Sequence, residues 1–304
     1  MKKLCLLLLA LMSVEGFANT TFGGELSSEW ASSGTTNTFG SNSAILNAES
    51  KISNKVNTFA EIDFTSGADR STNGSVLVHE AWVDYAAHNL VTIRTGIVDI
   101  PVGSESRNAS DRKLIDNSIT SAYLAPSNWS ESGVGVHGAI NLGGSDLDYE
   151  AYVTNGLSDA DDYSDTVGVA ALISTDIDSD TDQQKSFSGR VGYSPIEGAN
   201  IGAALYMGSS EQAIYSVDAE YAVAGAELKA EYITYSDEAD NEGTGYYLEA
   251  AYNIGSFIGQ SGLDVVVRYD NVETADSVDA STTTTFGLNY SVADNVNYKV
   301  GSQT

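Results

Sequence analysis

The sequence predicts an all-β fold, a transmembrane antiparallel β-barrel, from three observations. Short segments in which apolar and polar residues alternate recur along all 304 residues, the period of strands with two unlike faces. The connections between them alternate between short and long. The N-terminus reads as an export signal, yet no later stretch has the length and apolarity of a membrane helix.

In the signal, Lys2 and Lys3 precede an apolar run over 4–14, and Gly16-Phe17-Ala18 brings small residues to the cleavage positions. The expectation is a cleaved signal peptide over 1–18 and a single barrel domain over 19–304, since no Pro-rich or Gly/Ser linker divides the remainder. Cys5, the only cysteine, leaves with the signal, so disulfides and thiol chemistry are not expected. A net charge of −28 opposes binding to nucleic-acid phosphates. With 17 tyrosines, 29 glycines and only 3 prolines, the composition is not that of a disordered chain.

The strands follow in order. Phe22, Gly24 and Leu26 alternate with Gly23, Glu25 and Ser27. Ala60, Ile62 and Phe64 alternate with Glu61 and Asp63. Ala81, Val83 and Tyr85 alternate with Glu80 and Asp84, with Trp82 on the polar side. Leu228, Ala230 and Tyr232 alternate with Glu227, Lys229 and Glu231, and Val265, Val267 and Tyr269 flank Val266 and Arg268. Short connections fall at 54–55, 87–89, 143–145, 195–198, 224–225 and 293–295. Longer polar ones fall at 31–43, 67–75, 99–131, 157–185, 236–243 and 272–281, with 208–212 and 255–262 departing from the trend. Short turns on one side and long loops on the other suit an outer-membrane barrel better than a soluble sandwich.

Fourteen strands are complete by Val292, and a fifteenth runs from Val296 to Gly301. Such barrels take an even number of strands. The expectation is therefore sixteen strands with the last missing from a C-terminally truncated chain, the alternative being fourteen strands and a tail.

In a barrel the apolar face meets lipid and the charged face lines water; in a sandwich the apolar face fills a core. The barrel reading places Lys51, Glu61, Arg94, Arg190, Lys229 and Arg268 on the lumen wall. Tyr85, Tyr152, Tyr193, Tyr206, Tyr221, Tyr235, Tyr252, Tyr269 and Tyr290 lie near strand ends, where amphipathic rings form interfacial girdles.

The longest irregular excursion, 99–131, is where function is expected. It carries Asp99, Pro101, Gly103, Glu105, Arg107, Asp111, Arg112, Lys113 and Asp116, the densest basic cluster in an acidic chain, interleaved with acids. It shows no helix or strand period, and is expected to fold inward as a constriction loop. No Gly-x-Ser-x-Gly elbow is present, and His79-Glu80 lacks a second histidine at the zincin spacing. The run 176–182 opens like a calcium loop but has Thr181 at the sixth position and Phe187 at the twelfth; it reads as a solvated loop. No catalytic residue, metal or cofactor is expected.

Arg94-Thr95-Gly96-x-x-Asp99-Ile100-Pro101-Val102-Gly103, preceded by Ala60-Glu61-Ile62-Asp63-Phe64 and Glu80-Ala81-Trp82-Val83-Asp84-Tyr85, resembles the strands and loop start of Gram-negative porins, most nearly the phosphate-selective porin O/P type. The resemblance covers residues 44–138. It implies a homotrimeric sixteen-stranded channel whose third loop folds inward. The basic ladder behind the family's phosphate selectivity is not matched, because Arg107, Arg112 and Lys113 sit beside Glu105, Asp111 and Asp116.

The expected function is passive diffusion of small hydrophilic solutes or ions across the Gram-negative outer membrane, in contact with lipid and lipopolysaccharide. A surface adhesin or scaffold barrel, a hydrolase at the loop rim and a secreted soluble sandwich are the alternatives.

Overall fold

A computed structural model describes residues 19–33, 36–65, 74–107, 112–125, 129–158, 169–173, 185–209, 211–259, 262–274, 281–293 and 296–304. The expected signal peptide, the acidic run 176–182 and Asp111 lie outside the described residues. The chain divides into two compact units, 1–98 and 99–304.

The first unit is an antiparallel meander of β1 (Thr20–Ser33), β2 (Thr36–Lys51), β3 (Val56–Thr65), β4 (Ser75–His88) and β5 (Val91–Asp99), whose last residue opens the second unit. The expected long connection over 31–43 is not a loop. β1 and β2 stay paired as far as Ser33 and Thr36, because a polar hairpin forms its ladder through the backbone whatever its side chains. In β4 the pairing with β3 passes from Glu61↔Glu80 to Ile62↔Val78 and skips His79. This bulge lets His79 Nδ1 reach Glu61 Oε1 at 3.0 Å.

The second unit continues as β6 (Ser130–Asn141), β7 (Asp146–Thr154), β8 (Ser186–Ser194), β9 (Ala199–Met207), β10 (Ala213–Val223), β11 (Ala226–Ser236), β12 (Glu242–Asn253), β13 (Leu263–Thr274), β14 (Ser281–Ala293) and β15 (Val296–Gln303). Each pairs antiparallel with the next. Ala224 and Gly225 both take positive φ, 50° and 83°, the conformation that closes a two-residue hairpin in register with twisted strands.

Among the described residues, three α-helical turns, α1 (Ser104–Arg107), α2 (Ile119–Leu124) and α3 (Gly255–Ile258), and one 3-10 turn (Val169–Leu172) interrupt the connections. The first two correct the expectation of an irregular 99–131 excursion. α2 is too short to show a period, and Ser118 caps it by accepting from Ser121 N at 2.9 Å.

Across β10–β13 the usual relation of polarity to burial is reversed. Arg268 and Asp270 are 0% exposed and Asp218 4%, while Leu248 is 55% and Leu228 49% exposed. A soluble sandwich would bury the leucines. Charged side chains inside and apolar ones outside suit a wall whose outer solvent is lipid. Three tyrosines depart from the expected girdle. Tyr152, Tyr206 and Tyr235 are buried, because their strand parity turns them to the covered face, where their hydroxyls bond to Glu150, Ser186 and Asp237.

Candidate functional site: the loop and its wall

The excursion after β5 folds back onto the covered face of the second unit. Its base is tied by Ile100 N donating to the Trp129 carbonyl at 3.0 Å. At its exit, Glu131 accepts from Trp129 Nε1 at 2.8 Å and from Gly156 N at 2.6 Å. Pro101 and Gly103 are buried in the descending limb, and the Gly103 carbonyl accepts from Arg107 N.

Arg268 on β13 is the main clamp. Its Nε donates to Asp270 at 3.0 Å. Its Nη1 donates to Glu105 Oε1 at 3.1 Å and to the Asp116 carbonyl at 3.1 Å, and its Nη2 to the Asn117 carbonyl at 2.7 Å. Glu105 also accepts from Ser118 N at 2.8 Å, so one ion pair fixes both limbs of the loop. Ser104 N donates to Glu231 on β11 at 2.7 Å. Arg107 pairs with Glu150 at 2.7 Å. Lys113 pairs with Asp264 at 2.9 Å and Glu227 at 3.0 Å. Burial alone would lower the Lys113 pKa; its bonds to Asp264 and Glu227 outweigh that and hold it above the usual lysine value.

The apolar part of the loop meets a different stretch of wall. Leu124, Ala125 and Trp129 pack in one buried cluster with Tyr206, Ile214, Ile233, Tyr235 and Val272. Leu157, Val169 and Leu172, from the β7–β8 connection, complete it. Leu114 packs with Ala251 and Val266. Glycines admit these contacts. A Cβ at Gly243 would lie 2.7 Å from Leu124 Cδ2, one at Gly245 2.9 Å from Thr120 Cγ2, and one at Gly287 would collide with Leu114. A glycine inside a strand often marks such an approach. That was the signal available in the sequence for these sockets, which the charge pattern missed, as it missed Asp264.

The expected wall residues separate into two groups. Arg190 makes two bonds to Asp218, at 2.5 and 2.7 Å. Lys229 pairs with Glu227 at 3.1 Å, and Lys299 donates to the Arg112 carbonyl. With Arg268 they line the second unit. Lys51, Glu61 and Arg94 belong to the first unit, and Lys51 ends β2 exposed. There Arg94 makes two 2.8 Å bonds to Asp84 and lies 3.7 Å from the Trp82 ring centre. Phe59 stacks on Trp82 at 5.4 Å. Gly96 faces Trp82 across the ladder with φ 134°, and a Cβ there would strike the Ala81 carbonyl. The Arg94-Thr95-Gly96 motif therefore supplies the ring's cation and the gap beside it. Asp99 closes β5, and Asp116 is exposed, meeting Arg268 only through its carbonyl.

The profile of the family described as phosphate-selective porin O and P matches residues 25–301. The chain belongs to that family. It is 24% identical over 260 residues to an uncharacterized protein of Aquifex aeolicus (strain VF5), a match covering 74% of this chain and 58% of the relative. The chain thus spans less than two thirds of that relative's length. Among solved structures, the anion-selective porin from Comamonas acidovorans superposes with a TM-score of 0.62 at 11% identity, covering 94% of this chain and 88% of that one. The outer membrane channel DcaP of Acinetobacter baumannii gives 0.57 at 12%, covering 93% and 88%. At such identities the likeness shows the fold, that of porin barrels. The family places the protein in the Gram-negative outer membrane.

Proposed function

We propose that the protein is a passive channel through which small hydrophilic solutes or ions diffuse, narrowed by the loop that follows β5. The observation that carries this is the clamping of that loop to the charged face by Arg268, Ser104 and Lys113. A loop held in this way subtracts a fixed cross-section from a water-filled space and sets local charge beside it. The reading extends to one barrel domain over 19–304, a signal peptide before it, a homotrimer, and contact with lipid and lipopolysaccharide.

Purified protein in a planar bilayer should open discrete conductance steps. Absence of conductance would favour a closed scaffold or adhesin barrel. Arg107, Arg112 and Lys113 changed together to Ala should move the reversal potential under a salt gradient toward cations; an unmoved potential would place those residues outside the conduction path.

A further inference from the structure

We infer that this channel prefers small cations to anions, the reverse of the preference in its family's name; the inference rests on the channel reading above. It comes from which charges remain available once the contacts are formed. An anion-conducting row needs basic side chains that a passing anion can approach. Here five bases of the second unit are already engaged by carboxylates. Arg190 is held by Asp218, Arg107 by Glu150, and Lys113 by Asp264 and Glu227. Arg268, within ion-pair distance of Glu105, Asp270 and Glu249, has no exposed surface.

The strand register explains why. Glu220 faces Lys229, Lys229 faces Glu249, and Glu249 faces Arg268 on successive strands. The row alternates acid and base, so each basic residue has a carboxylate as cross-strand neighbour. Opposite charges in such positions stabilise one another, which removes the bases as anion sites. Arg112 lines a small cavity in which carboxylates outnumber bases, with Glu105, Glu220 and Glu249 against Arg112 and Lys229. On the acidic side the balance is different. No ion pair within 4.0 Å engages Asp116, Asp148 or Glu220 among the described residues, and none of the three is fully buried. Fixed charge of one sign beside a narrow aqueous path concentrates the opposite ion.

The test is a reversal potential in a potassium chloride gradient across a planar bilayer, with the full-length protein. A several-fold permeability preference for potassium is expected. Glu220→Gln should reduce it, and Glu220→Lys should reduce it further or reverse it. Both act at a half-buried position outside the loop's clamp, and either variant alone reports the sign. Inorganic phosphate added to both sides should leave single-channel conductance unchanged. A wild-type channel that conducts with chloride preferred or without preference, or that phosphate blocks, would overturn the inference and leave the channel reading intact. A protein that opens no channel would overturn both.

Discussion

One wall of the second unit holds the loop by two different means. Around α2, Leu124, Ala125 and Trp129 sit on Ile214, Ile233, Tyr235 and Val272, and the contact is apolar. Around residues 104–117 the same strands present Glu231, Glu227, Asp264 and Arg268, and the contact is ionic. Apolar packing tolerates small shifts at modest cost, whereas a buried ion pair is costly to leave half-made. The ionic region therefore fixes the loop's position, and the apolar region holds it against the wall.

The largest effect should come from Arg268→Met. It leaves Glu105, Glu249 and Asp270 without their shared cation, and removing one partner of a buried pair costs about 3–5 kcal/mol. A fall of that size in urea stability, with noisier or larger conductance steps, is expected. Unchanged channels and stability would show that the clamp is dispensable.

Next is Leu124→Ala, which empties part of the apolar cluster; large-to-small core changes cost about 2–5 kcal/mol. Equilibrium unfolding should show it. Because the ionic region stays intact, ion selectivity should hold, and a shift in reversal potential would break the division between the two regions.

Gly243→Ala puts a methyl into Leu124, and overpacking costs about 1–3 kcal/mol. Combining it with Leu124→Ala should recover part of that loss. Strict additivity in the double-mutant cycle would mean that the two do not touch.

The smallest effect is expected at Lys113→Met, about 1 kcal/mol or less, and weaker at high salt, since the pair is partly exposed. Its pH dependence has a definite sign. The folded-state pKa is raised, so the contribution is complete below about 10.4, the ordinary lysine value, and is lost as pH climbs through the raised one. A wild-type minus mutant stability difference that grew above that pH would contradict the ion pairing.

Much of the fold was legible in the alternation, because lipid outside and charge inside impose a strict period of two on each strand. The fifteen strands among the described residues and most short turns follow from it. The pairing of Ser33 with Thr36 was not legible, since the Ser, Thr and Asn residues near it give no periodic signal while the backbone still pairs. The site was legible as a cluster of charges in 99–131. Its partners were not, because Asp264 and Glu227 lie far along the chain and their strand pattern is like that of any other acid. The bulge at His79 and the Trp82–Gly96 pairing depend on register, which composition does not encode.

The Arg268 clamp joins residues that are far apart in sequence. Glu105 and Arg268 are 163 positions apart, Thr120 and Asn271 151, and Arg112 and Lys299 187. None of these contacts can form until the last third of the chain has arrived. Closing such long segments is entropically slow. The Arg268 clamp is thus set late in biogenesis. A chain halted before β13 would hold its loop without Arg268 and Asp264.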